Sequence, residues 1–418
     1  MDKAASLADM DVDTALLQSV WESKVATEKV LFDPLLAATK GSVSDMITVD
    51  DQTPSGLPVG KAVINVTPKN KGARKVTCAF LQALDDGGRY GTDTLIAYEE
   101  ERRMKHVSGY ANDWKHAVPL DTYGINYREL SPYNIYKATK ADLARWYGEN
   151  EGYFLRSAIV EGRSPNLASS PISAYQPLNP NCYVLSIADA SQPSRYSDDD
   201  GGNDMEDELG DVVNTATYTS MHNTVPRILA MTKFARINRY TNPLSLPNGP
   251  GYLYFVSPAE MLLLRDASQS NSFGYQWLSG AAIQNSADLV PGLKFVVGEA
   301  YVVEDPRCPT ITLTGQASSD YTISVGYMKH GRTDDRATGT TALTHLDVNY
   351  LLGEGAVLYY EAEAPHYEKQ LDEYGQYENV AYIGACGYCR TDWNVDTNND
   401  STPTIQHEGS MLVLSQRA

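Results

Sequence analysis

The chain has 418 residues, 42% of them hydrophobic, so it can bury a sizeable core but exceeds the length that one core usually serves. Its formal net charge of −19 argues against direct nucleic-acid binding, which needs a basic surface. Five scattered cysteines favour a reducing cytoplasm over a disulfide scaffold. No secretory signal and no apolar run of membrane-spanning length is found, so we expect synthesis in the cytosol and no membrane partner.

The N-terminal part, residues 1–70, predicts an extended arm around one helix. An apolar stripe from Leu16 to Trp21 has helical spacing. A loop rich in Gly and Pro follows, with a short strand at 62–66. No set of residues in this region forms an independent core.

Residues 71–126 predict a long antiparallel hairpin with a Gly- and acid-rich middle. Its tip at 85–91 has little apolar surface, so we expect the hairpin to become ordered by lying on another molecule. Its second half combines an apolar patch with an acidic run. The candidate contact residues of this extended loop are Leu95, Ile96, Tyr98, Glu99, Glu100 and Glu101.

A long helix is predicted directly after the hairpin. Ser131 is a suitable N-cap, Pro132 suits the first helical position, and Gly162 ends the apolar stripe. With a rise of about 1.5 Å per residue, the helix would span about 45 Å, enough to cross a whole subunit.

The second half of the chain mixes strands and helices. Residues 198–211 predict an acidic loop, and Thr224 with Pro226 begins a basic-sided helix. A buried strand ends at Ser257, which with Glu260 has the spacing of a capping box. The remaining predictions are a strand pair at 289–305, a short helix leading into a strand at 342–364, and a late strand at 380–393. Since these elements do not alternate as regular βαβ units, the predicted class is α+β.

The chemistry-bearing patterns are few. Cys386 and Cys389 have CxxC spacing, but neither a second pair nor a βαβ context accompanies them, which favours two buried thiols. The acidic segment from Asp396 resembles the opening of a calcium loop, but Ser401 and His407 stand where such a loop needs Gly and Glu. We therefore predict no catalytic residue, metal ligand or cofactor.

Several blocks of the sequence, in order, resemble the major capsid proteins of tailed phages, specifically the family of the N-four type of podophage. Together the blocks cover 21–393. They are the region of Trp21 and Phe32, the hairpin ending in Tyr98-Glu99-Glu100, the helix block Leu143-Ala144-Arg145-Trp146, and residues 254–266, 292–305, 351–356 and 382–393.

This resemblance implies the Hong Kong 97 phage capsid fold. It divides the chain into an N-terminal arm (1–70), an extended loop (71–126), a peripheral domain with a spine helix (127–212), an axial domain (213–350) and a return to the peripheral domain (351–418). It implies hexamers and pentamers of one chain in an icosahedral shell that encloses double-stranded DNA without sequence-specific binding. The expected location is the virion, after synthesis in the bacterial cytoplasm.

The resemblance also implies partners. We expect a portal, a separate scaffolding protein and a candidate cement protein beside copies of the chain itself. In this fold the extended loop overlies an adjacent subunit, so we expect Glu99, Glu100 and Glu101 to pair with basic side chains of that subunit's spine helix. The candidates are Lys137, Lys140 and Arg145.

Two other functional classes are compatible with the sequence. The Tyr content and the Asp/Asn loops suit a cation-dependent tail or fibre component, which would form trimers sensitive to chelators. An enzyme that uses the CxxC pair or two carboxylates would be a small oligomer with a reactive thiol at Cys386 or Cys389.

Overall fold

The computed structural model describes residues 35, 64–66, 75–81, 104–119, 135–165, 178–185, 188–193, 209, 212–213, 221–246, 249–270, 293–314, 322–330, 333–336, 345–372, 377–395 and 404–416.

This part of the chain combines helices and strands without a regular βαβ order, as predicted, so the α+β class is confirmed. The helices are α1 (Ile135–Glu161), α2 (Val225–Ile237) and α3 (Pro258–Ser270), with a 3-10 turn at Asp189–Ser191. The strands are β1 (Ile64–Val66), β2 (Lys75–Leu81), β3 (Met104–Tyr110), β4 (Asn112–Pro119), β5 (Cys182–Val184), β6 (Leu244–Leu246), β7 (Gly249–Val256), β8 (Leu293–Val297), β9 (Ala300–Glu304), β10 (Thr310–Thr314), β11 (Thr322–Gly326), β12 (Met328–His330), β13 (Thr333–Asp334), β14 (Leu346–Leu352), β15 (Val357–Asp372), β16 (Tyr377–Arg390), β17 (Trp393–Val395), β18 (Thr404–Gln406) and β19 (Ser410–Gln416).

A nine-stranded sheet forms the centre of the molecule, and β14 is its middle strand. β19 pairs with β14 along its whole length on one side, while β10 and β7 share the other side. All seven side chains of β14 are buried. The predicted helix is therefore wrong over Leu346–Leu352: a strand buried on both faces lacks the alternation that marks a strand in the sequence.

Helices cover both faces of this sheet. Leu412 and Leu414 of β19 point to the face on which α1 packs with Phe154 and Ile159. Met411 and Val413 point to the other face, which belongs to a second core cluster. That second cluster includes Ile228 and Met231 of α2 and Met261 and Leu264 of α3. The alternation along β19 thus builds a helix–sheet–helix sandwich.

A second sheet has four strands in the order β1-β15-β16-β4. The long hairpin of β15 and β16 forms its middle, and the register of that hairpin shifts between Glu361 and His366. The aromatic side chains of α1 near its N-terminal half, Trp146 and Tyr147, contact Trp114 of β4. One helix therefore packs on both sheets and connects them.

The long helix ends where the sequence predicts. Gly162 adopts a positive φ of 85° and its N–H donates to the Ala158 carbonyl, 3.0 Å away, which closes the last turn. The guanidinium of Arg390 donates to the Val160 carbonyl (Nη1–O 3.2 Å) and so satisfies a C-terminal acceptor. The predicted start at Ser131 and Pro132 lies outside the described residues.

Candidate inter-subunit surfaces

The base of the extended loop is attached to the four-stranded sheet. β2 and β3 pair in register from Lys75↔Tyr110 to Leu81↔Met104. A Cβ on Gly109 would lie 2.7 Å from Leu358 Cδ2, so glycine allows β3 to approach β15 without displacing the Leu358 side chain. Val107 is buried beside it. The described strands of the hairpin are thus attached to the sheet, and the six predicted contact residues come between these strands in the sequence.

Those six residues are outside the described part of the chain. They are Leu95, Ile96, Tyr98, Glu99, Glu100 and Glu101. Their contact with another copy stays a prediction.

The three basic residues predicted on the spine helix all lie in α1. The main-chain carbonyl of Lys140 accepts a hydrogen bond from the Tyr367 hydroxyl (2.8 Å), and its ammonium lies over the Tyr367 ring, 5.1 Å from the centroid. Arg145 is exposed and pairs with Glu149 of the same helix (Nε–Oε1 3.1 Å). For Lys137 only the helical backbone is described. The predicted pairing with another subunit stays a prediction.

An aromatic cluster connects α1 to the four-stranded sheet. The ring of Trp114 lies 4.7 Å from Trp146, 4.1 Å from Tyr147 and 4.8 Å from Phe154, centroid to centroid. Tyr382 continues the contacts from Tyr147 outward (5.0 Å). Such pairs stabilise by about 0.5–1.5 kcal/mol each beyond their buried area, so this side of the sheet is firmly packed.

The opposite side of the same sheet is more open. Register places Lys115 beside Ile383, and Ala117 beside Ala381. Neighbours on a strand point to opposite faces, so these residues face away from Trp114 and its cluster. The side chains in these rows are exposed or half-buried, and they are Lys115, Ala117, Ala381, Ile383, His366 and Glu368. A small apolar centre flanked by charges is a suitable surface for another protein.

A buried ion pair fixes α1 to the central sheet. Arg156 and Asp305 form two hydrogen bonds, Nε–Oδ2 of 3.0 Å and Nη2–Oδ1 of 2.7 Å, with side chains 1% and 0% exposed. Arg156 also donates to the Gly152 carbonyl (3.0 Å), and Asp305 accepts from the Arg307 N–H (2.9 Å). Asp305 follows β9 directly, so the pair sets the position of the helix relative to the sheet.

Near the C-terminus of α1 a histidine, a serine and an aspartate resemble a hydrolase triad. His407 Nε2 lies 2.7 Å from Ser410 Oγ, and its Nδ1 lies 3.6 Å from Asp392 Oδ1. Nδ1 is closer to the Thr391 carbonyl (3.1 Å), and Asn179 donates to Ser410 Oγ (2.9 Å). Both His407 and Ser410 are 0% exposed, so no substrate reaches them and the group serves packing.

The CxxC pair cannot act as one site. Cys386 and Cys389 are three residues apart on β16, so their thiols point to opposite faces. Both are buried, and burial raises the pKa of Cys389 to about 11. Within the described residues no cluster of His, Cys, Asp and Glu has the geometry of a metal site. None of the helices described is long and apolar enough to cross a bilayer.

The predicted capping box is half correct. The Glu260 N–H lies 3.4 Å from Ser257 Oγ, but the Ser257 N–H donates to Asn349 Oδ1 (3.0 Å) instead of to Glu260. The buried Glu260 carboxylate turns to His222 Nδ1 (2.8 Å) and to the Asn223 N–H (2.8 Å). The hydrogen bond from Glu260 raises the pKa of His222. This carboxylate therefore connects the starts of α2 and α3.

No family model matches the sequence, and no curated protein does. Solved structures do match. A capsid chain of Ralstonia phage GP4 has a TM-score of 0.56 at 14% identity, over 86% of this chain and 88% of that chain. The capsid of cyanophage Pam1 has a TM-score of 0.55 at 10% identity, over 87% and 91%. The capsid of Helicobacter pylori bacteriophage KHP30 has a TM-score of 0.51 at 11% identity, over 85% and 88%.

Identities this low show a shared fold. The predicted likeness to tailed-phage capsid proteins is thus confirmed for the fold, whereas the narrower N-four type of podophage stays a prediction. The chain has the Hong Kong 97-type fold that these phage capsid chains share.

Proposed function

We propose that this chain is the major capsid protein of a tailed phage. Copies of it would form the hexamers and pentamers of an icosahedral shell around double-stranded DNA. The observation that carries the proposal is the likeness of fold to phage capsid chains, which extends over more than four fifths of this chain and of each of those chains. The expected location is the virion, and the expected site of synthesis is the bacterial cytoplasm.

The proposal also assigns a role to each segment of the chain. The extended loop at 71–126 would lie on a neighbouring subunit, with 127–212 and 351–418 as the peripheral domain and 213–350 as the axial domain. The base of the loop supports this arrangement, because β3 packs closely on β15 where Gly109 lies beside the Leu358 side chain. A portal, a separate scaffolding protein and a cement protein are the further proposed partners.

The open side of the four-stranded sheet is a candidate surface for such a neighbour. Ala117, Ala381 and Ile383 offer a small apolar area, with Lys115 and Glu368 at its borders. A contact of standard size buries on the order of 1,600 Å² in total. Since each subunit in a shell closes several contacts, modest ones suffice.

Electron microscopy of negatively stained protein, with sedimentation velocity of the same sample, tests the proposal. The chain is expressed alone and together with the other structural proteins of its phage. Closed particles with many copies are the expected result. Trimers that fall apart with a chelator would instead support a tail or fibre component, and small oligomers in every condition would contradict a shell.

The extended loop is tested by replacing Leu95 and Ile96 with Asp. We expect a folded chain that forms no shells, because two carboxylates would enter an apolar contact. Ser324→Asp, an exposed substitution on β11, is the control and should assemble. Normal shells from the double variant would contradict the role given to the loop.

The acidic run of the loop is tested by Glu100→Lys and by a salt series. If Glu99, Glu100 and Glu101 meet Lys137, Lys140 or Arg145 of a neighbour, the reversal weakens the shell and high salt weakens the wild type. Shell stability that responds to neither change would exclude this pairing.

A further inference from the structure

Charge is unevenly distributed along this acidic chain. Residues 212–259 contain no Asp or Glu and four basic residues, so this stretch has a charge of +4. Because the whole chain carries −19, the remainder carries −23. The four basic residues are Arg227, Lys233, Arg236 and Arg239, all within or just after α2.

The end of α2 presents a basic and apolar surface. Lys233, Arg236 and Ile237 are spaced i, i+3 and i+4 and therefore share one helical face. All three are exposed, and Ile237 is 79% exposed. Asn238 and Arg239 extend the surface past the helix end and are exposed as well. We call these five residues the α2 knob.

The knob is held in one conformation. Phe234 and Ala235, within the same turn, are buried in the core, and the Tyr240 N–H donates to the Ala235 carbonyl (2.8 Å). Arg236 Nη1 lies 2.7 Å from Glu299 Oε1, so this carboxylate offsets one positive charge of the knob. Lys233 and Arg239 carry the other two positive charges of the knob.

Arg239 has a backbone conformation that is unfavourable for a residue with a side chain. Its φ is 53°, and it is the only residue other than glycine with a positive φ in the described chain. For an L-residue this conformation costs about 1 kcal/mol, and glycine is the usual residue after a helix end. A strained cation beside an exposed isoleucine motivates a functional hypothesis for this surface.

We propose that the α2 knob docks on an acidic surface of a second copy of this chain, an inference that rests on the proposed function. Ile237 would enter an apolar centre, and Lys233 and Arg239 would meet carboxylates around it, as in protein interfaces generally. The charge of −23 outside 212–259 makes every other copy a complementary partner. A phosphate backbone would gain nothing from Ile237, which disfavours DNA as the occupant.

This contact is heterologous, because a basic knob on one copy meets a different, acidic surface on the next. Heterologous contacts that close by rotation generate rings. The proposed contact is therefore suited to the ring of subunits within a hexamer or pentamer.

The test uses the full chain with Lys233→Glu and Ile237→Asp, each beside a conservative control, Lys233→Arg and Ile237→Val. Sedimentation velocity over a range of concentrations and at low and high salt gives the association. We expect the first two variants to associate at least about tenfold more weakly, as charge and apolar contacts at an interface would require. The controls should match the wild type, and thermal unfolding should be unchanged because the side chains are exposed.

Three outcomes would overturn the inference. Equal association and equal salt dependence of all variants would exclude the knob from the contact while leaving the shell proposal intact. Absence of association in the wild type itself would refute both proposals. Binding of duplex DNA to the wild type, measured by fluorescence anisotropy and lost in Lys233→Glu while self-association persists, would identify DNA as the occupant.

Discussion

The two sheets of this protein share one helix but differ in how completely the chain buries them. Every side chain of β14 is buried in the nine-stranded sheet, and β19 beside it is buried except for Gln416. In the four-stranded sheet, β15 is exposed or half-buried from Glu361 to Gln370, and β4 alternates between half-buried and exposed positions. The centre of the first sheet is therefore fully buried within one chain, whereas β4 and the distal part of β15 in the second sheet leave surface that another molecule could cover.

The central strands therefore obtain their stability from packing within one chain, whereas part of the four-stranded sheet does not. At the central sheet, buried charged and amide donors find partners inside the chain: Asn181 donates to the Tyr240 and Ser410 carbonyls, and Arg156 is paired with Asp305. In the four-stranded sheet, aromatic rings pack on the side that faces α1. On the other side, alanines and charged side chains are exposed or half-buried. We infer that copies of the chain cover this second side.

The largest effect is expected from breaking the buried pair. Asp305→Ala leaves the Arg156 guanidinium buried without its carboxylate and should lower the free energy of unfolding by about 3–5 kcal/mol. Urea denaturation measures the change. Arg145→Ala removes an exposed pair with Glu149 and is the control, with an expected loss below about 0.5 kcal/mol. Similar losses for both would contradict the account of α1 as a helix fixed to the central sheet.

The two faces of β4 should respond differently to substitution, because one packs on α1 and the other is exposed. Trp114→Ala removes the ring that contacts Trp146, Tyr147 and Phe154 and should cost about 2–4 kcal/mol of chain stability. Ala117→Asp on the opposite, exposed face should cost less than about 0.5 kcal/mol but impair assembly. Thermal unfolding and sedimentation separate the two effects. An Ala117→Asp chain that assembles normally would remove this face from the proposed contacts.

A smaller effect, dependent on pH, is expected at the start of α2. Glu260 raises the pKa of His222 in the folded chain, so the folded state binds the proton more tightly than the unfolded state. The stabilisation is fully present below the ordinary pKa of 6.5 and is lost as pH rises through the raised value. The advantage of the wild type over His222→Asn, up to about 1 kcal/mol, should therefore shrink from acidic to alkaline pH. A constant difference would exclude this coupling.

The smallest effect is a gain. Arg239→Gly should raise the free energy of unfolding by up to about 1 kcal/mol, because glycine adopts a positive φ without strain. The same change removes one positive charge from the α2 knob, so association should weaken slightly. Thermal unfolding of the variant beside Arg239→Lys, which keeps both charge and strain, measures the first effect. A destabilised glycine variant would show that the Arg239 side chain stabilises the isolated chain.

Local signals in the sequence predicted much of the secondary structure. Gly162 ends the long helix, Thr224 and Pro226 mark the start of α2, and the strand pair at 289–305 is the β8–β9 hairpin. The predicted helix at Leu346–Leu352 is a strand in the structure. Because both faces of this strand are buried, its sequence lacks the alternation of apolar and polar residues that marks a half-buried strand. Glu260 has capping-box spacing, but its carboxylate finds donors that lie far away in the sequence.

The features that position the candidate surfaces depend on residues distant in sequence. Arg156 and Asp305 are 149 positions apart, and no spacing rule connects them. The register of β15 with β16 and β4 decides which side of that sheet is open, and the shifts between Glu361 and His366 cannot be read from composition. The sequence predicts the basic character of α2, but the exposure of Ile237 is seen only in the folded structure.

Hydrogen–deuterium exchange of the dissociated chain and of assembled particles would show whether copies of the chain complete the burial of the four-stranded sheet. We predict that amides of β4, of the distal half of the β15–β16 hairpin and of the end of α2 gain protection on assembly. Amides of β14 and β19 should be equally protected in both states. Equal protection of the four-stranded sheet in the free and assembled chain would contradict the claim that copies of this chain complete its burial.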